Sequence, residues 1–136
     1  MTNNFWRIFT DGGSRGNPGP SACSFIIYDP RNKIIHQQGF YIGVGTNNNA
    51  EYLGVLHAYR HISAQENIPP QLQFFLDSEL VVKQLSGIYK IKDPNLQSIA
   101  LEIKNYQKTH SVSYNHIPRS KNSAADLLVN QTLDNQ

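Results

Sequence analysis

The hydrophobic pattern of this chain changes its period near Asn48, and this change constrains the fold more than any other feature. Residues 4–10, 21–28 and 33–41 are rich in aromatic and β-branched residues and are separated by short turn-forming segments. Such runs predict three strands, and the short connections predict an antiparallel meander. After Asn48, the spacing changes to that of a helix. Offsets of four, three and four residues separate Glu51, Val55, Ala58 and Ile62, which places them on one helical face. The first third of the chain is therefore predicted to be sheet and the next segment a helix.

The predicted first helix ends before Pro69-Pro70, and strands and helices alternate after it. Its sheet-facing residues are expected to be Glu51, Val55, Ala58 and Ile62. Further strands are predicted at 72–76 and 111–116, and further helices at 78–85, 95–108 and 123–133. The order β-β-β-α-β-α-α-β-α predicts an α/β fold with a five-stranded mixed sheet, three antiparallel strands followed by parallel ones, flanked by about four helices.

Length and composition exclude several classes of protein. A chain of 136 residues predicts a single domain spanning 1–136. No run approaches the ~18–20 apolar residues of a membrane helix, and the first residues lack the pattern of a secretory signal. The single cysteine, Cys23, allows no internal disulfide and no cysteine-based metal site, which favours a reducing cytoplasmic location. The net charge of +2 is compatible with an anionic partner without requiring one.

Four acidic residues stand where predicted elements begin or end, namely Asp11, Glu51, Asp77 and Asp126. Each has a local explanation that is favoured when the residue is taken alone. Asp11 precedes Gly12, as in an ordinary turn. Glu51 follows Asn48 by three residues, as in a capping box. Asp126 follows Ser123 in the same way, and Asp77 stands where a helix cap is expected.

Taken together, the four carboxylates indicate a metal site. Asp11 and Asp77 end two apolar strands that are expected to lie side by side, and Glu51 lies on the sheet-facing side of its helix. Carboxylates that converge without a counter-ion repel one another, and a divalent cation removes that cost. Oxygen ligands suit Mg²⁺ or Mn²⁺, whereas no cysteine pair or HExxH spacing supports zinc.

Four ordered blocks of sequence resemble the type 1 ribonuclease H family. They are TDGGSRGNPGP, TNNNAEYLGVLHAY, LDSELVVKQLSGIYKIKDPNL and NHIPRSKNSAADLLVNQTLD, and they cover nearly the whole chain. The resemblance implies a ribonuclease H-like fold and an endonuclease that hydrolyses the RNA strand of RNA–DNA hybrids, leaving 5′-phosphate and 3′-hydroxyl ends. It also implies a two-metal-ion mechanism. Asp11 would bridge both ions, Asp126 would help to hold the water-activating ion, and Glu51 and Asp77 would help to hold the ion on the leaving-group side.

The resemblance also implies substrate contacts beside these carboxylates. A tight turn is expected directly after Asp11, kept small so that RNA sugars can approach it. Amide side chains both donate to and accept from a 2′-hydroxyl, the group that distinguishes RNA from DNA. Ordinary loop and cap roles are the alternative for the asparagine run at 47–49. We expect Gly12, Gly13, Ser14, Asn17, Asn47 and Asn48 to contact the RNA side and Thr46 to contact a phosphate of the DNA strand.

Two features depart from the family pattern. Glu79 stands where many members have glutamine, which predicts a weaker or metal-mediated substrate contact. The segment SGIYKIKDPNL stands where some members carry a lysine- and tryptophan-rich insertion that binds the hybrid. The absence of this insertion predicts weaker and more salt-sensitive hybrid binding, since affinity follows phosphate neutralisation.

Two residues compete for the role of the mobile loop histidine that assists product release in many members. His116 has the matching position, ten residues before Asp126, but the loop is short and His116 is expected to end the fifth strand. Arg119 lies within the loop and can reach a phosphate. We favour Arg119 and leave both assignments open.

Three other interpretations stay open. A nuclease of the same fold would cut double-stranded RNA or branched DNA, and RNA duplexes share the 2′-hydroxyl with hybrids. A catalytically idle hybrid-binding module is disfavoured, because a binding domain gains nothing from four carboxylates next to an anionic ligand. A domain of a polymerase polyprotein is the third. The initiating Met favours a free-standing protein, and we expect a monomer without membrane association. The sequence gives no indication of metal preference, cleavage-site preference or cellular role.

Overall fold

The computed structural model describes residues 4–136, so the first three residues of the predicted 1–136 domain lie outside the described part of the chain. The elements in chain order are β1 (Phe5–Ser14), β2 (Gly19–Tyr28), β3 (Ile34–Gly45), α1 (Asn47–Ser63), β4 (Gln71–Leu76), α2 (Glu79–Leu85), α3 (Pro94–Gln107), β5 (Ser111–His116), a short 3₁₀ turn (Arg119–Lys121) and α4 (Ser123–Asp134). Between residues 4 and 136, no helix has both the length and the hydropathy of a membrane span.

The strands form one five-stranded sheet with the order β3-β2-β1-β4-β5. β2 pairs antiparallel with β1 and with β3, whereas β4 pairs parallel with β1 and β5 pairs parallel with β4. The predicted mixed sheet, three antiparallel strands followed by parallel ones, is therefore confirmed, as are the four α-helices within residues 4–136. Because β1 and β4 are parallel neighbours, their carboxyl ends meet at one edge of the sheet, where Asp11 and Asp77 lie.

Helix α1 packs one face on the sheet and forms the main core. The predicted face is confirmed, since Val55, Ala58 and Ile62 are completely or almost completely buried. They pack in a cluster with strand residues that include Ile8 and Phe74. Burial of a side chain of this size stabilises the fold by about 1.5–3 kcal/mol. The packing fixes the start of α1 above the carboxyl end of β1.

Helix α4 covers the opposite face of the sheet. Ala125 and Val129 are buried there, and Val129 packs with Ala22 of β2. The Ser24 hydroxyl donates a hydrogen bond of 2.7 Å to the Ala125 carbonyl, which ties the helix to the sheet. The first turn of α4 therefore lies close to the sheet edge where β1 and β4 end.

The prediction of a turn directly after Asp11 is wrong. β1 continues to Ser14, and Asp11 pairs with Ser24 of β2. The two following glycines keep an extended conformation because they pair with Cys23 and Ala22 of the antiparallel neighbour. The chain reverses only at 15–18, where Gly16 adopts a positive φ of 100°, a conformation that glycine adopts without steric cost. Asp11 is therefore an interior strand residue.

The other boundaries differ from the prediction by few residues. β3 continues to Gly45 instead of ending near Tyr41, because it stays paired with β2 as far as Gly19. β5 begins and ends at the predicted residues, and α4 extends one residue beyond the predicted end. The single cysteine, Cys23, is buried.

Candidate active site

Three carboxylates from separate parts of the sequence converge at the sheet edge. One ligand atom from each of Asp11, Glu51 and Asp77 lies within 4.8 Å of the other two. Asp11 belongs to β1, Glu51 to the first turns of α1, and Asp77 follows β4. Asp11 and Glu51 are each only 6% exposed, whereas Asp77 is half-buried. The structure thus brings together three of the four predicted acidic residues.

Asp126 lies beside this trio but is not part of it. It is half-exposed in the first turn of α4. Together with Asp11 it lines a polar cleft of about 210 Å³. Burial is the main cause that raises the pKa of Asp11, and the negative charge of Asp126 adds to it. The fourth predicted carboxylate therefore lies at the same cleft as Asp11.

Two glycines allow the helix to approach the strand closely enough to join these carboxylates. A Cβ atom on Gly12 would overlap the backbone of Ala50 and Glu51. A Cβ atom on Gly54 would lie 2.8 Å from the Asp11 carbonyl oxygen, far inside normal van der Waals contact. The absence of both side chains lets α1 lie directly against β1. The Gly12 N–H then donates a hydrogen bond of 2.9 Å to Glu51 Oε1.

The local explanations for Glu51 and Asp77 are wrong. Helix α1 is capped by Thr46, whose hydroxyl accepts a hydrogen bond of 3.1 Å from the Asn49 N–H. The Glu51 carboxylate turns away from that helix end and accepts from β1 instead. Helix α2 is capped by Ser78, so the Asp77 side chain is free of the capping role.

The capping-box explanation for Asp126 is also wrong. Asn122 precedes the first residue of α4, and the Asp126 N–H donates to its carbonyl at 3.1 Å. Among the described residues, the Asp126 carboxylate accepts a hydrogen bond of 3.4 Å from Asn130 Nδ2, one turn further along the helix. It therefore does not return to Ser123.

Burial makes the two inner carboxylates reluctant to ionise. It raises the pKa of Asp11 to about 7, and the negative charge of Asp77 adds to this rise. Burial also raises the pKa of Glu51 well above its usual value, and the charge of Asp11 adds to this rise. Within residues 4–136, no lysine, arginine or histidine forms an ion pair with either group. Within this range, therefore, no ion pair offsets the ionisation of Asp11 or Glu51.

The donor set fits a divalent cation. All of the converging ligand atoms are carboxylate oxygens, the type that Mg²⁺ and Mn²⁺ prefer. Glu51 Oε2 is buried and has no hydrogen-bond partner within the described residues. An unpartnered buried carboxylate oxygen is costly, and a bound cation would remove that cost. The residues therefore suit Mg²⁺ or Mn²⁺ and do not discriminate between them.

The predicted substrate contacts form one continuous rim beside the carboxylates. Gly12, Gly13, Ser14 and Asn47 line the cleft. The Ser14 N–H donates a hydrogen bond of 2.9 Å to Asn47 Oδ1, and the Asn47 N–H donates one of 2.9 Å to Asn17 Oδ1. These bonds join the end of β1, the following turn and the start of α1. Asn17, Thr46 and Asn48 are exposed next to them.

Glu79 lies apart from this rim. It is exposed in the first turn of α2 and forms an ion pair of 3.1 Å with Lys83. The ammonium group of Lys83 lowers the pKa of Glu79. The position of Glu79 neither supports nor contradicts the predicted substrate contact, which stays a prediction.

The structure separates the two candidates for the loop role. Arg119 begins the 3₁₀ turn and lines the same cleft as Asp11 and Asp126. His116 is the last residue of β5, as expected, and is exposed. It does not line that cleft. The location favours Arg119, and its role stays a prediction.

One residue of the site belongs to no sequence pattern that predicts a functional role. Asn122 is 2% exposed and donates through Nδ2 to Asp77 Oδ2 at 3.0 Å. Its position directly before a helix suggests only a cap, although its side chain makes no cap hydrogen bond. A buried asparagine that contacts a carboxylate from a distant strand can be found only in three dimensions.

Comparison with solved structures places the fold among known ones. The RNase H1 of the halophilic archaeon Halobacterium salinarum NRC-1 superposes with a TM-score of 0.91 at 32% identity, over 97% of this chain and 99% of that chain. LC11-RNase H1, solved in complex with an RNA/DNA hybrid, gives a TM-score of 0.90 at 36% identity, over 96% of this chain and 97% of that chain. These similarities confirm the predicted ribonuclease H fold.

Sequence comparison agrees. Residues 9–132 match the family model described as reverse transcriptase-like. The Halobacterium salinarum protein named ribonuclease HI is 35% identical over 127 residues, which are 93% of this chain and 63% of that protein. A bifunctional protein of Mycobacterium tuberculosis is 33% identical over 93% of this chain and 35% of its own length. The chain thus spans between about a third and two thirds of the length of these relatives.

Proposed function

The chain belongs to the type 1 ribonuclease H family, and on this premise we propose that it hydrolyses the RNA strand of RNA–DNA hybrids with the help of divalent metal ions. The observation that carries the proposal is the convergence of Asp11, Glu51 and Asp77 within 4.8 Å beside a polar cleft. Two of these carboxylates are almost completely buried and lack a cationic partner among the described residues. A purely structural cluster of this kind would destabilise the fold, with no bound cation to compensate the repulsion and the burial of charge.

The four carboxylates are the residues that would hold two Mg²⁺ or Mn²⁺ ions. Such ions, when bound, would supply a nucleophile from water near neutral pH and stabilise charge on the attacking and leaving oxygens. Asp11 belongs to the trio with Glu51 and Asp77 and also lines the cleft that Asp126 lines, which supports its role as the shared ligand. Cleavage of this class would leave a 5′-phosphate and a 3′-hydroxyl.

The hydrogen bonds within the site prepare the carboxylates for this task. The Gly12 N–H holds Glu51 Oε1, so that Oε2 stays available for a cation. The Asn122 amide holds one oxygen of Asp77. Because these carboxylates are held before any ligand arrives, little conformational entropy would be lost on cation binding.

The rim supports recognition of RNA through hydrogen-bond donors. The Oδ1 atoms of Asn17 and Asn47 already accept from backbone N–H groups. Their Nδ2 groups have no partner in the described part of the chain, so the donors stay free at the exposed surface. A 2′-hydroxyl oxygen and the minor-groove acceptors of bases are suitable partners for such donors. A Cβ on Gly13 would approach only Val129, at 3.7 Å, so the surface beside the carboxylates is open.

Hybrid affinity is expected to be modest and sensitive to salt. The connection between α2 and α3 spans 86–93 and carries Lys90 and Lys92, which are both exposed. Few cations in this region leave few phosphates neutralised, and affinity then rests on short-range contacts at the rim. Double-stranded RNA is the second candidate substrate, because the same free amide donors would meet 2′-hydroxyls in either duplex.

The experiment is a cleavage assay with end-labelled RNA–DNA hybrid, RNA duplex and DNA duplex of one sequence. Each substrate is incubated with Mg²⁺, Mn²⁺ or chelator. We expect cleavage of hybrid RNA with metal only, and products whose 3′ ends can be extended by a polymerase. Survival of the hybrid under every metal condition would refute the proposal, and tight hybrid binding without cleavage would support the idle module. Preferential cutting of RNA duplex would establish the second candidate.

A further inference from the structure

Asn122 stands at the helix-cap position of α4 but does not cap the helix. Its side chain makes no hydrogen bond to the first turn, and the residue is 2% exposed. Instead Nδ2 donates to the Thr10 carbonyl at 2.9 Å and to Asp77 Oδ2 at 3.0 Å. Both of its amide protons are therefore used on partners that are distant in sequence.

These contacts join three segments of the chain that carry carboxylates of the site. Thr10 directly precedes Asp11 in β1, and Asp77 directly follows β4. The Asn122 carbonyl accepts the Asp126 N–H at 3.1 Å, which fixes the first turn of α4. A single residue thus contacts Asp77 itself, the neighbour of Asp11 and the backbone of Asp126.

The orientation of the amide is dictated by these acceptors. Asn122 Oδ1 is buried and has no hydrogen-bond partner within residues 4–136. Rotation of the amide by half a turn would satisfy neither acceptor, because Oδ1 would then face a carbonyl and a carboxylate. An unpaired buried acceptor destabilises a fold. The fold tolerates this cost at Oδ1 because the same orientation lets Nδ2 donate to Thr10 and Asp77. The arrangement serves Asp77 rather than the amide.

We propose that Asn122 is a positioning residue that sets the orientation of Asp77, and the distance between Asp77 and the first turn of α4, for divalent cation binding. A neutral donor can fix a carboxylate without adding a positive charge that would compete with the cation. Lysine or arginine in the same place would neutralise the site. The inference rests on the proposed metal role of the carboxylates.

The chain offers a matched control. Asn115 of β5 uses Nδ2 in a similar way, donating to the Phe74 carbonyl at 3.0 Å and to the Ser113 hydroxyl at 3.1 Å. It thus bridges to a backbone carbonyl of β4, as Asn122 bridges to β1, but it contacts no carboxylate. Asn115→Ala therefore removes comparable structural hydrogen bonds without touching the site.

The test measures the Mg²⁺ concentration that gives half of the maximal rise in melting temperature, with no substrate present. For Asn122→Ala we expect this concentration to increase about tenfold, as is typical when the partner of a metal ligand is removed. The Mg²⁺ dependence of hybrid cleavage should shift with it, while KM for the hybrid at saturating Mg²⁺ stays unchanged. Asn115→Ala should lower the melting temperature and leave the Mg²⁺ midpoint unchanged. Equal Mg²⁺ midpoints for wild type and Asn122→Ala would overturn the inference, as would equal shifts in both variants.

Asn122→Asp separates donor chemistry from shape. This variant keeps the volume of the side chain but turns an oxygen towards Thr10 and Asp77, so we expect a Mg²⁺ shift at least as large as that of Asn122→Ala. A wild-type midpoint in Asn122→Asp would show that the donor is dispensable. Where a variant does not fold, the wild-type protein provides the measurement by NMR. The side-chain amide resonances of Asn122 should move on Mg²⁺ addition and those of Asn115 should not, and an unmoved Asn122 signal would contradict the inference.

Failure of this inference differs from failure of the proposed function. If wild-type protein shows neither Mg²⁺-dependent stabilisation nor hybrid cleavage, the metal role of the carboxylates fails and the inference fails with it. If wild type shows both and Asn122→Ala matches it at every Mg²⁺ concentration, only the role of Asn122 fails.

Discussion

The two sides of the cleft are held in different ways. On the inner side, Asp11 and Glu51 are each 6% exposed and are fixed by β1, by α1 and by the Gly12 N–H. On the outer side, Arg119 lines the cleft and His116 lies outside it; both are exposed, and neither side chain has a hydrogen bond within the described residues. Burying the carboxylates of the inner side destabilises the fold, whereas the exposed residues of the outer side hardly change its stability. The inner residues should therefore be irreplaceable and the outer ones exchangeable.

The largest effect is expected from Asp11→Asn, which removes a ligand from the inner side while keeping its shape. Because metal stabilisation of the reacting oxygens is worth several kcal/mol, we expect hybrid cleavage to fall by about a thousandfold or more. Asp29→Asn is the control, since Asp29 holds the turn after β2 through the N–H groups of Arg31 and Lys33. Single-turnover rates measure both. Near-normal cleavage by Asp11→Asn would remove the distinction between the two sides.

The metal-free protein should lose stability as the pH rises. Burial raises the pKa of Asp11 from 3.8 to about 7, so the folded state holds more protons than the unfolded state between these pH values. Stability contributed by the protonated form is complete below pH 4 and is lost as the pH approaches 7 and above. For Asp11 alone, the loss is on the order of 2 kcal/mol or more.

Chemical denaturation in chelator at pH 5 and pH 8 measures this loss. Asp11→Asn is the matched control, because it cannot ionise and should lose clearly less stability over the same range. Saturating Mg²⁺ should abolish the difference between wild type at the two pH values. The prediction is wrong if, in chelator, the wild-type protein is more stable at pH 8 than at pH 5 while the stability of Asp11→Asn is the same at both. Ionisation of the buried Asp11 would then not destabilise the fold.

Smaller effects are expected on the outer side. Arg119→Ala should lower kcat by about tenfold. A charge-assisted hydrogen bond contributes about 1.5–3 kcal/mol, and loss of the smaller value lowers a rate by about that factor. His116→Ala should change kcat by less than about twofold, because His116 does not line the cleft. Multiple-turnover kinetics compare the two variants. A larger loss for His116→Ala would reverse the assignment, and equally small losses would refute both.

The smallest effect is expected from Glu79→Gln. Glu79 is exposed and pairs with Lys83 at 3.1 Å, and exposed ion pairs contribute little to stability. We expect the melting temperature to stay within a few degrees of wild type and KM for the hybrid to change less than about twofold. The KM measured at two salt concentrations checks this. A tenfold decrease in KM would identify position 79 as a direct substrate contact.

The sequence was most informative where a pattern reports on local structure. The helical spacing of Val55, Ala58 and Ile62 reports directly on the buried face of α1, and the short alternating run at 111–116 marks β5 correctly. The acidic cluster was predictable because parallel neighbouring strands place Asp11 and Asp77 at one edge. Asp126 was singled out by its position at the start of the last predicted helix, and the family resemblance assigned it to the water-activating ion.

The failures come from competition between local and tertiary hydrogen bonds. Glu51 fits a capping box, but the Gly12 N–H of β1 is a partner that no window of local sequence contains. The glycines after Asp11 are typical of a turn, but β2 pairs with them and keeps them extended. Asn122 is typical of a helix cap, but its amide serves Asp77. In each case a residue of another element offers a better partner than the local one.

The central claim is that the buried carboxylates form a cation site, and proton release on metal binding tests it most directly. Calorimetric titration of the wild-type protein with Mn²⁺ at pH 6, in two buffers with different ionisation enthalpies, counts the protons released. Burial raises the pKa of Asp11 to about 7 and that of Glu51 well above its usual value. Because ligands must be deprotonated to bind, we predict release of about one proton or more per protein. Asp11→Asn should release fewer. Binding of Mn²⁺ without proton release, or unchanged binding by Asp11→Asn, would contradict the account.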